Sequence, residues 1–243
     1  MTERAGPVVL AAPSGTGKTT LAHRLVDGTG RYMFSVSATT RPPRGAEREG
    51  IDYHFVDRAR FEAMIERGEL VEWAEVHGRL YGTPRWVLEA AAARGTHVLL
   101  DIDVQGARQM RERLPGVKLI FVLPPSVDAL LRRIRGRGTE EPEQVVRRLR
   151  TALDELRVAE EFDFVVVNDD VERCAHEIDE IVQGRIGPDG TSGSSRDTRA
   201  LRAEIVRLLA PADADATDEA KDHDTGGADA PSGDSRKIEG GSA

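Results

Sequence analysis

Lys18 and Thr19 follow Ser14-Gly15-Thr16-Gly17, so a cation and a hydroxyl close a glycine-rich turn. That combination suits phosphate. The glycines let backbone N–H groups converge on an anion, the lysine reaches the outer oxygens, and the Thr19 hydroxyl can ligate magnesium. The flanks agree. Val8, Val9 and Leu10 form a short aliphatic run suited to a buried parallel strand, and KTTLAHRLV opens a helix with Leu21 and Leu25 on one face. A helix N-terminus, with its positive dipole end, then lies beneath the anion. Ala12, Pro13, Ser14, Gly15, Thr16, Gly17, Lys18, Thr19 and Thr20 are the expected phosphate-loop contacts. One residue departs from the usual spacing: Ala12 stands where the loop's first glycine is expected. A methyl is tolerable there provided φ stays negative.

A second anion site would draw on arginine, whose planar fork matches two phosphate oxygens at once. Arg41 and Arg44 lie three apart around the stiff Pro42-Pro43, and Tyr53 and Tyr81 add hydroxyls. Taken alone, two arginines beside prolines read as a solvated loop and the tyrosines as half-buried packing.

The elements that must position these groups alternate between strand and helix. THVLLDID is a strand ending in Asp101 and Asp103; VQGARQMRERLP is a helix stopped at Pro115; VKLIFVLPP is a buried strand; DFVVVN is a last strand leading to Asn168 and the helix DDVERCAHEIDEIVQG. Such alternation predicts an α/β fold with a doubly wound parallel sheet, whose ligands bind beyond the C-terminal strand ends. Residues 1–34, 96–125 and 158–185 make up this core. Residues 35–95 read as a small mixed α/β insert: strands at 35–39 and 53–56, an amphipathic helix ending at Gly68, and two strands around Gly78. Residues 126–157 form two helical stretches, rich in arginine. From 186 to 243 Gly, Ser, Asp and Ala dominate, which predicts a disordered acidic tail, although TRALRAEIVRLLA could make one helix with Leu201, Ile205 and Leu208 on a face.

Composition narrows the function classes. The chain has 243 residues and a net charge of −8. Between Pro211 and Ala243 nine Asp/Glu face three Lys/Arg, a balance of −6, which leaves about −2 for the rest. No basic block suggests a nucleic-acid partner. Cys174 is the single cysteine, so neither an internal disulfide nor a zinc set is expected. No apolar run approaches membrane-spanning length and no leader-like stretch precedes the first strand, so a reducing cytoplasm is the expected location. No pattern specifies a monomer or a homo-oligomer.

The motifs SATTRPPRGAEREGIDYHFV, GELVEWAEVHGRLYGTP, LLDIDVQGA, PPSVDALLRRIRGRGTE and VVVNDD, in this order after the phosphate loop, resemble guanylate kinase across about residues 6–184. The resemblance implies a P-loop nucleoside monophosphate kinase that moves the γ-phosphoryl of ATP to GMP (or dGMP) with magnesium. It implies that the 35–95 insert binds GMP and that 126–157 is a lid. Arg41, Arg44, Tyr53 and Tyr81 would hold the GMP phosphate, and Ser37, Glu72, Thr83 and Asp103 would read the guanine. A carboxylate such as Glu72 accepts from both guanine N1–H and the exocyclic amine; adenine offers neither donor there and would leave it unpaired, a penalty of about 1–3 kcal/mol or more. Asp101 would hold magnesium with Thr19, and Asp103, two residues on, would point to the same side. Lys18, Arg41 and the lid arginines Arg133, Arg137 and Arg148 would meet the charge that develops during transfer. Arg132, Arg135, Arg147 and Arg150 read as solvated faces, and Asn168 would lie near the adenine. Two other readings are a P-loop kinase for a different phosphorylated acceptor, and a guanylate-kinase-like scaffold module that binds a phosphopeptide. The first conflicts with the guanine-reading set, and the second with an intact phosphate loop.

Overall fold

A computed structural model describes residues 5–76, 78–136 and 141–219. Its centre is a five-stranded, all-parallel sheet in the order β2-β7-β1-β8-β9, built from β1 (Pro7–Ala11), β2 (Tyr32–Phe34), β7 (His97–Asp101), β8 (Lys118–Leu123) and β9 (Phe164–Val167). Period-two alternation explains why both faces are covered. Val9, Ala11, Val98, Leu100, Leu119, Phe121 and Leu123 face one apolar cluster. Val8, Leu10, Leu99, Ile120 and Val122 face the other. Helices α1 (Lys18–Thr29) and α7 (Val171–Val182) close the second face with Leu21, Leu25, Cys174, Ile178 and Ile181. Burial of Cys174 pushes its thiol up to about 12, which fits an inert packing role. The first face is closed by α3 (Arg85–Arg94), α4 (Val104–Arg113), α5 (Val127–Arg135) and α6 (Pro142–Arg157).

The second sheet, in the order β4-β3-β6-β5, is the mixed one: β3 (Ala38–Thr39) pairs parallel with β4 (His54–Phe55) and antiparallel with β6 (Arg79–Pro84), which pairs antiparallel with β5 (Leu70–Val76). Helix α2 (Arg58–Glu66), capped by Asp57, adds Phe61 and Met64 to a small separate core with Ala38, Leu70 and Leu80.

The structure departs from the sequence expectations in four places. Strand β2 was not expected, because three residues give periodicity too little to act on. The strands expected at 35–39 and 53–56 shorten to Ala38–Thr39 and His54–Phe55. Helix α3, assigned by its position to the insert, buries Val87 and Ala91 in the main core. The disordered tail expected from residue 186 does not begin there, because α8 (Ser195–Glu219) is a helix whose Leu201, Ile205 and Leu209 join the main core. Spacing of four sets that buried stripe; Leu208, expected on it, is 46% exposed. The acidic end from residue 220 on lies outside the described residues. Among the described residues no helix is long and apolar enough to cross a membrane.

Candidate active site

Parallel register places the phosphate loop, Asp101 and Asn168 along one edge of the main sheet. Leu10 stands beside Asp101 on β7 and beside Ile120 on β8, while Leu123 stands beside Val167 on β9. Between β1 and α1 the loop turns at Gly15 (φ 89°) and Gly17 (φ 92°), left-handed positions that favour glycine. A Cβ on either would also crowd a neighbour, Ile134 Cγ1 or Asn168 Nδ2, at 3.1 Å. Helix α1 has no side-chain cap, so its first N–H groups stay available to an anion. Ala12 fits the loop: it is nearly buried in the apolar cluster with Leu10, Leu21 and Val166. A cavity of about 750 Å³ opens over this loop; Pro13, Ser14, Thr16, Lys18 and Thr20 help line it, together with Arg133 and Asn168.

Asp101 organises the mouth of that cavity. One of its oxygens meets Lys18 Nζ, and the other accepts from Thr19 Oγ1 at 3.3 Å. Lys18 also donates to the Ile102 carbonyl at 3.4 Å. A hydroxyl and a carboxylate oxygen side by side at a phosphate loop are the hard oxygen donors that suit magnesium, which completes its shell with water and phosphate oxygens. No group of three His, Cys, Asp or Glu side chains among the described residues makes an all-protein metal cage.

A second cavity, about 250 Å³, adjoins the first; Tyr53 and Asp101 border both. Ser37, Glu72, Tyr81 and Asp103 line it. Glu72 is 3% exposed and its Oε1 accepts from Thr83 Oγ1 at 2.6 Å. Burial pushes its carboxyl up to about 7, assisted by the charge of Asp103 and opposed by the Thr83 hydrogen bonds. Gly106 makes room for it, since a Cβ there would stand 2.7 Å from Glu72 Oε2. Asp103 caps α4, its Oδ1 accepting from Gly106 N–H at 2.8 Å, so one of its oxygens is committed to structure.

Arg41 is 6% exposed, and its fork is filled by Glu47, with Nη1 to Oε2 at 2.9 Å and Nη2 to Oε1 at 2.8 Å. Its guanidinium carbon lies 5.1 Å from the centroid of the Tyr53 ring, and Tyr53 meets Tyr81 edge-on at 6.1 Å. Arg44 is exposed on the same turn, donating its backbone N–H to Glu47 Oε2 at 2.8 Å. Glu47 holds Arg41 protonated well above the usual guanidinium range and is itself held low. It escaped the sequence reading; the available signal was a carboxylate across the Pro42–Gly45 turn from a buried arginine.

Two of the arginines expected in a lid, Arg133 and Arg148, contact the phosphate loop. Arg133 donates to the Thr16 carbonyl at 2.6 Å and to the Asn168 carbonyl at 3.2 Å; Asn168 Nδ2 donates to the same Thr16 carbonyl at 2.9 Å. Arg148 donates to the Ile134 carbonyl at 3.0 Å and to Ser14 Oγ at 3.2 Å. Arg132, Arg135, Arg147 and Arg150 are exposed, as expected. Arg137 lies outside the described residues. Glu155 was missed: it accepts from Ser14 N–H at 3.1 Å, with burial raising its carboxyl and Lys18 opposing that rise. Its signal was a spacing of seven from Arg148, which puts both on one face of α6.

A strand–loop–helix anion site joined through one carboxylate to a smaller polar pocket on a separate insert defines a P-loop phosphotransferase with two substrates. The comparisons make the class specific. The guanylate kinase family profile matches residues 4–185. The chain is 52% identical over 176 residues to a guanylate kinase of Myxococcus xanthus, covering 72% of this chain and 84% of that one. It is 49% identical over 173 residues to one of Nocardia farcinica, covering 70% and 90%. A crystal structure of guanylate kinase from Anaplasma phagocytophilum superposes with a TM-score of 0.62 at 37% identity, covering 75% of this chain and 87% of that one. This chain belongs to the guanylate kinase family.

Proposed function

We propose that the larger cavity takes ATP, that the smaller takes GMP, and that the γ-phosphoryl group crosses between them beside Asp101. The chain is a guanylate kinase: it transfers the γ-phosphoryl of ATP to GMP, giving ADP and GDP. Glu72 carries the assignment of the acceptor. A buried carboxyl, steadied on one oxygen by Thr83, turns toward a pocket sized for a base. Ionised, it accepts from guanine N1–H and the exocyclic amine. Because Thr83 spends its proton on Glu72, Ser37 is the hydroxyl left to donate to O6. Asp103 faces the base with its second oxygen. Arg41, Arg44, Tyr53 and Tyr81 hold the GMP phosphate, with Glu47 steadying Arg41.

On the donor side the N–H groups of the loop and of α1 surround the triphosphate, and Lys18 follows its outer oxygens. Thr19 and Asp101 would hold magnesium, which supplies charge neutralisation on the phosphates. Arg133 and Arg148 stand within the lid at Thr16 and Ser14, so small shifts of α5 and α6 bring them onto transferring oxygens. We assign Asn168 first to holding the loop, through Thr16, and only then to the adenine side. The acceptor phosphate is already ionised, so no general base and no covalent intermediate are needed; positioning and electrostatics perform the transfer. A coupled ADP-release assay with GMP, AMP, CMP or UMP tests the reading. ADP release with GMP alone is expected; acceptor-independent release, or none, overturns it.

A further inference from the structure

The family match ends at residue 185, yet the ordered chain continues along the molecule. Residues 191–194 run beside β9, the exposed edge of the main sheet. Gly193 N–H donates to the Val165 carbonyl at 3.2 Å, and Ser192 Oγ accepts from Val167 N–H at 2.9 Å. Ser192 also donates from both N–H and Oγ to Glu177 on α7, at 2.5 and 2.6 Å. The approach is close: a Cβ on Gly193 would stand 3.0 Å from Val165 Cγ1. The chain then turns into α8, which packs on α6, α5 and the turn at 159–161. Ile205 is fully buried, and Arg199 pairs with Glu160 at 3.0 Å.

One end of this segment therefore grips the core next to Asn168, and the other grips the helix that carries Arg148 and Glu155. Those three side chains hold Ser14 and Thr16 in the phosphate loop. We propose that residues 191–210 form a strap that sets the spacing between lid and core around the ATP phosphates, with Ile205 as a positioning residue for Arg148 and Glu155. The inference rests on the reading of α5 and α6 as the lid. Through Arg148 and Glu155 the strap acts on Ser14 of the phosphate loop, so the donor side is where its effect is expected.

The test is steady-state kinetics on the full-length chain, varying ATP and GMP separately, well below the melting temperature of each variant. Ile205→Ala is expected to reduce kcat/KM for ATP roughly five- to thirty-fold while KM for GMP stays within about two-fold. Ile205→Val should recover most of the loss. Ser192→Ala, which loosens the grip on β9 without emptying the core, should shift ATP parameters the same way by a smaller factor. Leu208→Ala, on the exposed side of α8, should match wild type. A lower Tm with unchanged kinetic constants in Ile205→Ala and Ser192→Ala overturns the strap, as does a parallel change in both KM values. Arg148→Ala separates the two layers. No loss of kcat in Arg148→Ala overturns the lid reading and the strap with it. A loss there with none in Ile205→Ala overturns the strap alone.

Discussion

The two halves of the active site are built by different means. The half we assign to ATP is made mostly of backbone: a continuous run from Ala12 to Thr20, two left-handed glycines, and a helix end without a cap. The half we assign to GMP is made of side chains carried in from separate elements: Ser37 before β3, Glu72 on β5, Tyr81 and Thr83 on β6, and Asp103 at the start of α4. The first half recognises phosphate, which every nucleoside triphosphate shares. The second must tell guanine from adenine, and only directional side-chain donors and acceptors do that. Generic chemistry sits in a contiguous loop, while specific chemistry sits on an insert that brings distant residues together.

The sharpest break between the halves is Lys18→Ala. It removes a cation from the transferring phosphates and leaves Asp101 without its ion-pair partner. A fall in kcat of about 10²–10³ is expected, in the range seen when one preorganised transition-state contact is lost, with KM for GMP little changed. Equal loss in kcat and in GMP affinity would show that the halves are not separable in this way.

Glu72→Gln tests the other half. The variant keeps size and burial but presents an N–H₂ where guanine also presents N–H. An increase in KM for GMP of roughly 10–100-fold is expected, with AMP nearly unaffected. The wild type adds a pH signature. Because burial raises the Glu72 carboxyl to about 7, the free enzyme is partly protonated there near neutrality. Hence kcat/KM for GMP should climb as pH rises from 6 to 8, and the Gln variant should lose that step. The sign for stability runs the other way. The folded state holds this proton more tightly than the unfolded chain, so Glu72's contribution falls as pH rises from about 4.5 to 7, by up to about 3 kcal/mol.

Glu47→Ala is expected to have the next largest effect. Arg41 is buried and Glu47 fills its fork, so truncation leaves a buried cation with the Pro42 carbonyl, the Tyr53 and Phe55 rings and the Tyr81 hydroxyl. A lower midpoint of chemical denaturation is expected, with a several-fold increase in KM for GMP and no change for ATP. If KM for GMP falls instead, Glu47 competes with the phosphate rather than steadying its receptor.

The same contrast explains what the sequence disclosed. The phosphate loop was legible because its parts are adjacent and their mechanism is local. The parallel core was legible because β1, β7 and β8 are aliphatic runs that alternate with helices. The acceptor set was visible only through family motifs: nothing in VEWAEV says that Glu72 is buried beside Asp103, since burial depends on the register of β5 and on Gly106 in α4. Glu47 and Glu155 were missed because each acts through a partner, Arg41 or Ser14, that local patterning does not connect to it. The α8 stripe was half read: Leu201 and Ile205 show the spacing, but a composition rich in Asp, Ala and Gly outweighed three apolar residues whose worth comes from α6.

Ala12→Gly is the smallest effect and the finest test of the comparison. If the ATP half works through backbone geometry, then restoring the usual glycine should matter only if the methyl distorts the loop. Ala12 joins the apolar cluster with Leu10, Leu21 and Val166, while the left-handed turn is made by Gly15 and Gly17. Glycine at 12 removes that contact and adds freedom to the unfolded chain, so a stability loss of about 0.5–1 kcal/mol is expected. KM for ATP should stay within about two-fold. A ten-fold gain in ATP affinity would mean that the cradle is sensitive to a side chain at its entrance. The ATP half would then be less purely a backbone device than its two glycines and bare helix end imply.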